Sequence, residues 1–230
     1  MRERLLTADA VQARLVSHAD AAQLPAMRKR LAPDEAAIGM RMRDLFDTAK
    51  AATGMPLTEV ERLMDHEEYE SRMAAFCVLD FKARAALGDP ELHDLYLRRH
   101  DAISTWDMVD RAAPRVVGGH VTGGPYDVLH ELAVAEHPLR RRTAATAPLY
   151  FAMAGTDADR AVGFEVCAVL HADPEPVVTN AVGIYLKHAG SRDLDALEAF
   201  LAAHAAAMPR PALRLAIEKL PPDLRRSWLG

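Results

Sequence analysis

Ser104-Thr105-Trp106-Asp107-Met108-Val109-Asp110-Arg111-Ala112-Ala113-Pro114 reads as the opening turns of a helix. Ser104 followed three residues later by Asp107 has the spacing of a capping box, which places Trp106 and Asp110 in the first turns. Trp106 is one of only 2 tryptophans in the chain. It stands four residues before Asp110, so the two share one helix face. An aromatic plate beside a carboxylate suits chemistry in which a cation develops next to a flat or apolar surface. The plainer reading makes Trp106 a core residue and Asp110 a surface acid that offsets the helix dipole. Spacing within this stretch favours the plainer one, so the surrounding sequence has to decide.

Working outward from Val109, a small or apolar residue recurs near the start of the second helix of each successive pair. The marks fall at Gly39, Ala74, Val109, Ala144, Ala181 and Ala216, separated by 35, 35, 35, 37 and 35 residues. The local texture repeats too, in Arg72-Met73-Ala74-Ala75, Arg142-Thr143-Ala144-Ala145, Asn180-Ala181-Val182 and Arg214-Leu215-Ala216-Ile217. Any row of helical hairpins shows some regularity, but five near-equal intervals point to a repeat. Tetratricopeptide and ankyrin signatures are absent, which leaves a short HEAT-like helical repeat. Helical periodicity predicts helices near 7–18, 20–31, 34–53, 57–64, 67–87, 90–99, 104–121, 125–135, 138–153, 157–170, 174–189, 193–205 and 209–219, and no segment alternates as a strand would. Short breaks carrying glycine and proline separate them. The fold expected is all-α: a HEAT-like α-solenoid of about six antiparallel helix pairs with a concave basic groove. It forms a single domain over 1–230, with an N-terminal helical cap at 1–33 and repeats over 34–225.

Composition agrees with this fold. Of 230 residues, 50% are apolar and only 6% aromatic, with alanine heavily used, as in helices packed through small side chains. No run of 18 apolar residues offers a membrane span. Met1-Arg2-Glu3-Arg4 leads into mixed polar sequence, which argues against a secretory signal. Cys77 and Cys167 belong to no metal or redox spacing and read as buried thiols of a reducing, cytoplasmic environment.

The formal net charge of −5 argues against indiscriminate binding to nucleic acid, but the placement of the arginines matters more than their number. In a solenoid the second helices line the concave side, so the side chains just before the marks face one groove. These include Arg41, Arg43, Arg72, Trp106, Arg140, Arg141, Arg142 and Arg214. Such a basic stripe, with an aromatic and a carboxylate at its middle, tracks a phosphate backbone without reading bases. Singly, each arginine also reads as an ordinary surface residue paired with an acid such as Asp44, Glu68 or Glu70. Other constellations carry less. The 10 histidines lack metal spacing, and His66, His120, His130 and His137 read as surface or capping residues. Gly118-Gly119-His120-Val121-Thr122-Gly123-Gly124-Pro125 lacks the lysine of a phosphate loop and reads as a turn between repeats. Asp65-His66-Glu67-Glu68-Tyr69-Glu70 reads as a solvated acidic helix start.

Taken together, these residues resemble the AlkD-type DNA alkylation repair glycosylases, a family built from HEAT-like repeats. Residues 96–114 carry the family's I-x-x-W-D-x-V-D-x-x-A-P core, as Ile103, Trp106-Asp107, Val109-Asp110 and Ala113-Pro114. Leu139-Arg140-Arg141-Arg142-Thr143-Ala144 resembles its W-x-R-R-T-A helix start, and Gly39-Met40-Arg41-Met42-Arg43-Asp44-Leu45 its G-V-R-V-P-x-L-R segment. The tail from Met208 to Leu220 is close to a common family ending, so the likeness covers roughly 35–225.

The resemblance implies a monofunctional DNA glycosylase that excises cationic alkylated purines, N7-alkylguanine and N3-alkyladenine, from duplex DNA. It also implies catalytic roles for Asp110, which stabilises oxocarbenium character on the deoxyribose, and Trp106, which packs against the lesion sugar. Arg142, with Arg141 as second choice, holds a phosphate near the lesion, while Arg140, Arg72, Arg43, Arg214 and Lys187 complete the DNA-binding set. No metal and no cofactor are implied, and the protein is expected as a nucleoid-associated cytoplasmic monomer whose partner is alkylated double-stranded DNA, not a membrane. The family works from the sugar-phosphate side and leaves the base unenclosed, so it tolerates bulky adducts. One departure stands out. Where the family has K-A-I/V-G-W-x-L-R-E, this chain reads Asn180-Ala181-Val182-Gly183-Ile184-Tyr185-Leu186-Lys187-His188. Ile184 replaces a groove tryptophan, and Tyr185, about 100° around the helix, is no obvious substitute. Two alternatives follow: a glycosylase specialised for bulky natural-product adducts, or a non-catalytic HEAT-type scaffold that binds DNA structure or protein.

Overall fold

The computed structural model describes residues 4–229. Met1, Arg2, Glu3 and Gly230 lie outside it, and with the first three goes most of the segment that argued against a secretory signal. The described chain is all-helical and folds as a solenoid-like helical repeat. Its residues pack into two compact units that meet in sequence between His120 and Val121.

In the first unit, α1 (Ala8–Ser17), α3 (Leu57–Met64) and α5 (Pro90–Arg98) alternate with α2 (Met42–Ala51), α4 (Tyr69–Ala85) and α6 (Trp106–Ala113). α4 packs on α2, α3 and α6, so it forms the spine of this unit. In the second unit, α7 (Asp127–Ala133), α10 (Asp157–Leu170) and α12 (Leu194–His204) make one row. The other holds α8 (Pro138–Thr146), α11 (Pro176–Ala189) and α13 (Arg210–Ala216), with α9 (Leu149–Ala154) beside it and α14 (Pro222–Leu229) at the end. α11 packs on α8, α10 and α13.

The repeat marks lie on the seams of these rows. Ala74, Val109, Ala144, Ala181 and Ala216 are all buried to within 2% of full burial, because small residues let neighbouring helices approach closely. Gly183, two residues after one mark, shows how close: a Cβ there would come within 2.5 Å of the Ala212 carbonyl oxygen on α13. Cys77 and Cys167 are buried free thiols, as expected, and burial pushes Cys77 up to about 12.

The structure corrects several boundaries. Residues 20–31 form only a 3₁₀ turn (Ala21–Gln23) and a short helix (Leu24–Met27). The helix expected over 34–53 begins at Met42. The Ile38 and Gly39 amides donate instead to the Glu70 carboxylate, at 2.9 and 2.7 Å, and hold the preceding segment extended. The mark at Gly39 therefore precedes its helix; the residue has φ +82°, and a Cβ would meet Asp20 and Leu24 at 2.8 Å. The same contact overturns the solvated reading of 65–70, since Tyr69 and Glu70 are both fully buried. Proline explains two further breaks. Pro148 has no N–H to give Ala144, and the helix expected over 138–153 stops at Thr146 and restarts at Leu149. Pro114 has none to give Asp110, and the backbone widens into a π turn over Pro114–Gly118. The capping box expected at Ser104 does not form: Thr105 is the N-cap of α6, and Asp107 faces elsewhere. A true capping box joins Thr156 and Asp159 at the start of α10.

Candidate functional site

α6 is an amphipathic helix whose buried side is Met108, Val109, Ala112 and Ala113. These residues face α4 and leave Trp106 and Asp110 on the opposite side. Trp106 is 43% exposed, the largest of the exposed hydrophobic side chains, so the core reading of this tryptophan is set aside. Asp110 is half-buried one turn further on. Their shared face follows from the four-residue spacing.

What fixes the direction of that face is Asp107. The Tyr69 hydroxyl, reaching from α4, donates to Asp107 Oδ2 at 2.6 Å, and Arg30 Nε lies 3.1 Å from the same oxygen. The Arg30 guanidinium also stacks 5.5 Å from the centroid of the Tyr69 ring. Burial first, and then the charge of Asp107, hold the Tyr69 phenol far above its ordinary range, so it remains a proton donor. Thr105 donates its hydroxyl to the other Asp107 oxygen. Just before α6, the Ser104 hydroxyl donates to Glu35, which is itself paired with Arg72. Two polar clamps therefore hold the start of α6 against the rest of the first unit.

The basic residues expected to meet DNA divide into two sets. Arg43 is open to solvent and 3.8 Å from Asp47, and Arg41 and Arg214 are exposed. Arg140 is half-buried. Lys187 Nζ lies 3.3 Å from Glu218. Arg72 and Arg141, by contrast, are engaged within the fold. Each is the fourth residue of its helix and donates to the carbonyls five and six residues before it. Arg72 reaches His66 and Glu67 at 2.8 and 2.6 Å. Arg141 reaches Ala135 and Glu136 at 3.0 and 2.6 Å. Each then pairs with a carboxylate from a neighbouring turn, Glu35 for Arg72 and Asp173 for Arg141. Arg142 is 3% exposed, and its guanidinium donates to the Val177 carbonyl.

On α11, Ile184 is half-buried while Tyr185 is fully buried. The Tyr185 hydroxyl donates to the Arg160 carbonyl at 2.7 Å, and its ring fills the space left by Gly163, where a Cβ would come within 2.1 Å of that hydroxyl. The tyrosine thus offers no ring in place of the family tryptophan.

Sequence reading missed Tyr69, Arg30 and Glu35. Asp107 carried a signal in its W-D pair, but its partners lie too far away in sequence to be named. Among the described residues, no three His, Cys, Asp or Glu side chains gather as metal ligands, and no helix is long and apolar enough to cross a membrane. Among known proteins, the family described as DNA alkylation repair enzyme matches residues 11–220. No curated relative matches the chain.

Proposed function

The chain belongs to the family of DNA alkylation repair enzymes, and from that premise we propose that it is a monofunctional DNA glycosylase. Its substrates are cationic alkylpurines, N7-alkylguanine and N3-alkyladenine, in duplex DNA. Alkylation of a ring nitrogen gives the base a positive charge and makes it a good leaving group. As the glycosidic bond breaks, its electron pair leaves with the base and positive charge develops on the sugar. The Asp110 carboxylate stabilises that charge and orients the water whose oxygen bonds to the anomeric carbon while one of its O–H bonds breaks and the proton passes to solvent. The products are a free base and an abasic sugar. Trp106 packs its ring against the sugar, and the exposed Arg43 and Arg214 with the half-buried Arg140 make sequence-independent contacts to backbone phosphates.

One observation carries this reading: Trp106 stands 43% exposed, one turn from the half-buried Asp110, on a helix whose other side chains are buried or half-buried. Asp110→Asn tests it, since the amide keeps the shape and loses the charge. Release of 7-methylguanine from duplex DNA should fall at least about 100-fold, the scale of losing one transition-state electrostatic partner. Binding to undamaged duplex should remain. Release at the parental rate would remove Asp110 from the mechanism.

A second reading, a non-catalytic DNA-structure scaffold, is favoured by Ile184 and Asn180, where the family carries a tryptophan and a lysine. The same assay separates the readings. Binding with no base released from methylated or bulky-adduct duplexes means a scaffold, and release of bulky adducts alone means a specialised glycosylase.

A further inference from the structure

Asp80, on α4, is fully buried, and three guanidiniums converge on it. Arg84, one turn further along α4, donates Nε and Nη2 to Oδ2 at 3.1 and 2.9 Å. Arg111 of α6 places Nη2 3.0 Å from the same oxygen. Arg115, in the π turn that follows α6, donates Nη1 to Oδ1 at 2.8 Å. One carboxylate therefore meets three cations, and the cluster keeps a surplus of two positive charges.

The cluster is also held rigid. The Arg111 guanidinium lies between two phenyl rings, 4.8 Å from that of Phe46 on α2 and 4.7 Å from that of Phe81 on α4. Arg84 lies 5.1 Å from the Phe81 ring. Arginine stacked on aromatic faces is preorganised for an incoming anion, because less side-chain freedom is lost on binding.

Satisfying the buried Asp80 does not require three arginines. A single bidentate arginine pairs a carboxylate, and each further guanidinium at this range adds repulsion between like charges. The side chains of Arg84 and Arg115 are 44% and 31% exposed, and the Arg115 Nε and Nη2 and Arg84 Nη1 groups make no bond to Asp80. A partly open cluster with surplus charge and spare N–H groups in fork geometry fits a phosphodiester.

We propose that Arg84, Arg111 and Arg115, gathered on Asp80, form a phosphate-binding station for the backbone of duplex DNA. It is distinct from the Trp106 and Asp110 pair, and it rests on the DNA reading above. Arg111 directly follows Asp110, about 100° around the helix, and Arg115 lies five residues beyond Asp110, about 7.5 Å along the helix axis, so the station lies beside the Asp110 face. A duplex that presents a sugar to Asp110 thus has backbone within reach of the station. Its role is to fix the position of the duplex, without reading sequence.

The test compares wild type with R84Q/R115Q by fluorescence anisotropy on a short undamaged duplex across a salt series. Melting curves check that both proteins are folded. The double variant leaves Arg111 on Asp80. Loss of one phosphate contact should make the log–log salt slope shallower by about 0.9. Affinity should fall roughly tenfold, as for one charge-assisted contact. R84K/R115K, which keeps the charges, should retain the wild-type slope while losing part of the affinity. If the double variant melts early, R84Q alone carries the same test, because Arg111 and Arg115 remain on Asp80. A folded variant with wild-type slope and affinity overturns the station and leaves the DNA reading intact. A wild type that binds no duplex overturns both.

Discussion

Asp107, the neighbour of the tryptophan, fixes the start of α6, and Asp110 inherits its direction. The Tyr69 hydroxyl ties Asp107 to α4, at 2.6 Å. Tyr69→Phe removes one hydrogen bond to a charged, half-buried acceptor and should destabilise the protein by about 1–2 kcal/mol in a denaturant titration. Because α6 then loses one constraint on its rotation, single-turnover excision should slow more than duplex affinity falls. Trp106→Ala should behave in the opposite way. The ring is 43% exposed, so the melting temperature should hardly move while excision drops sharply. Trp106 and Asp110 were legible because their spacing is local and their motif specific. Arg72 and Arg141 were not, because a guanidinium's partner is chosen by the fold. The sequence offers nearby acids such as Glu68 and Glu70 as partners, yet the carboxylates that pair with the two arginines, Glu35 and Asp173, lie more than thirty residues away.

Elements were easier to read than their ends. Helical period located nearly every helix, since burying an apolar stripe requires it. The helix starts depended on single side chains that the period does not see, such as Pro114, Pro148 and the buried Glu70. α14 lay beyond the last predicted segment. Asp159, at the start of α10, shows what such an end contributes. Burial alone would raise its pKa, but the amides of Gly123 and Thr156 and the hydroxyls of Thr156 and Tyr126 hold it down to about 2. A depressed carboxylate stabilises the fold above its ordinary pKa and loses that contribution as pH falls through the folded value. Between about pH 4 and pH 2 the wild type should therefore lose stability that Asp159→Asn lacks at every pH. At neutral pH the difference amounts to about 2 kcal/mol, measurable by urea unfolding at several pH values. Gly163→Ala tests packing at the same scale. Its methyl meets the Tyr185 ring, and overpacking of this kind costs about 1–3 kcal/mol. An unchanged melting temperature would show that Tyr185 can move aside.

For the whole molecule, a formal charge of −5 and a polyanionic partner coexist only if cations are gathered locally. Duplex affinity should then fall steeply with salt, with a log–log slope near −0.9 for each phosphate contacted. A flat salt response in equilibrium titrations would count against backbone binding altogether. The sequence by itself determined the all-helical repeat, because its 35-residue period and its small seam residues are local and recur along the chain. It also marked Trp106 and Asp110, since four residues on a helix always share a face. Only the tertiary structure decided which charges stay available. Tyr69 and Arg30 for Asp107, Arg111 and Arg115 for Asp80, Glu35 for Arg72 and Asp173 for Arg141 all come from distant segments of the chain, and such pairs depend on distances in space that no spacing along the chain can state.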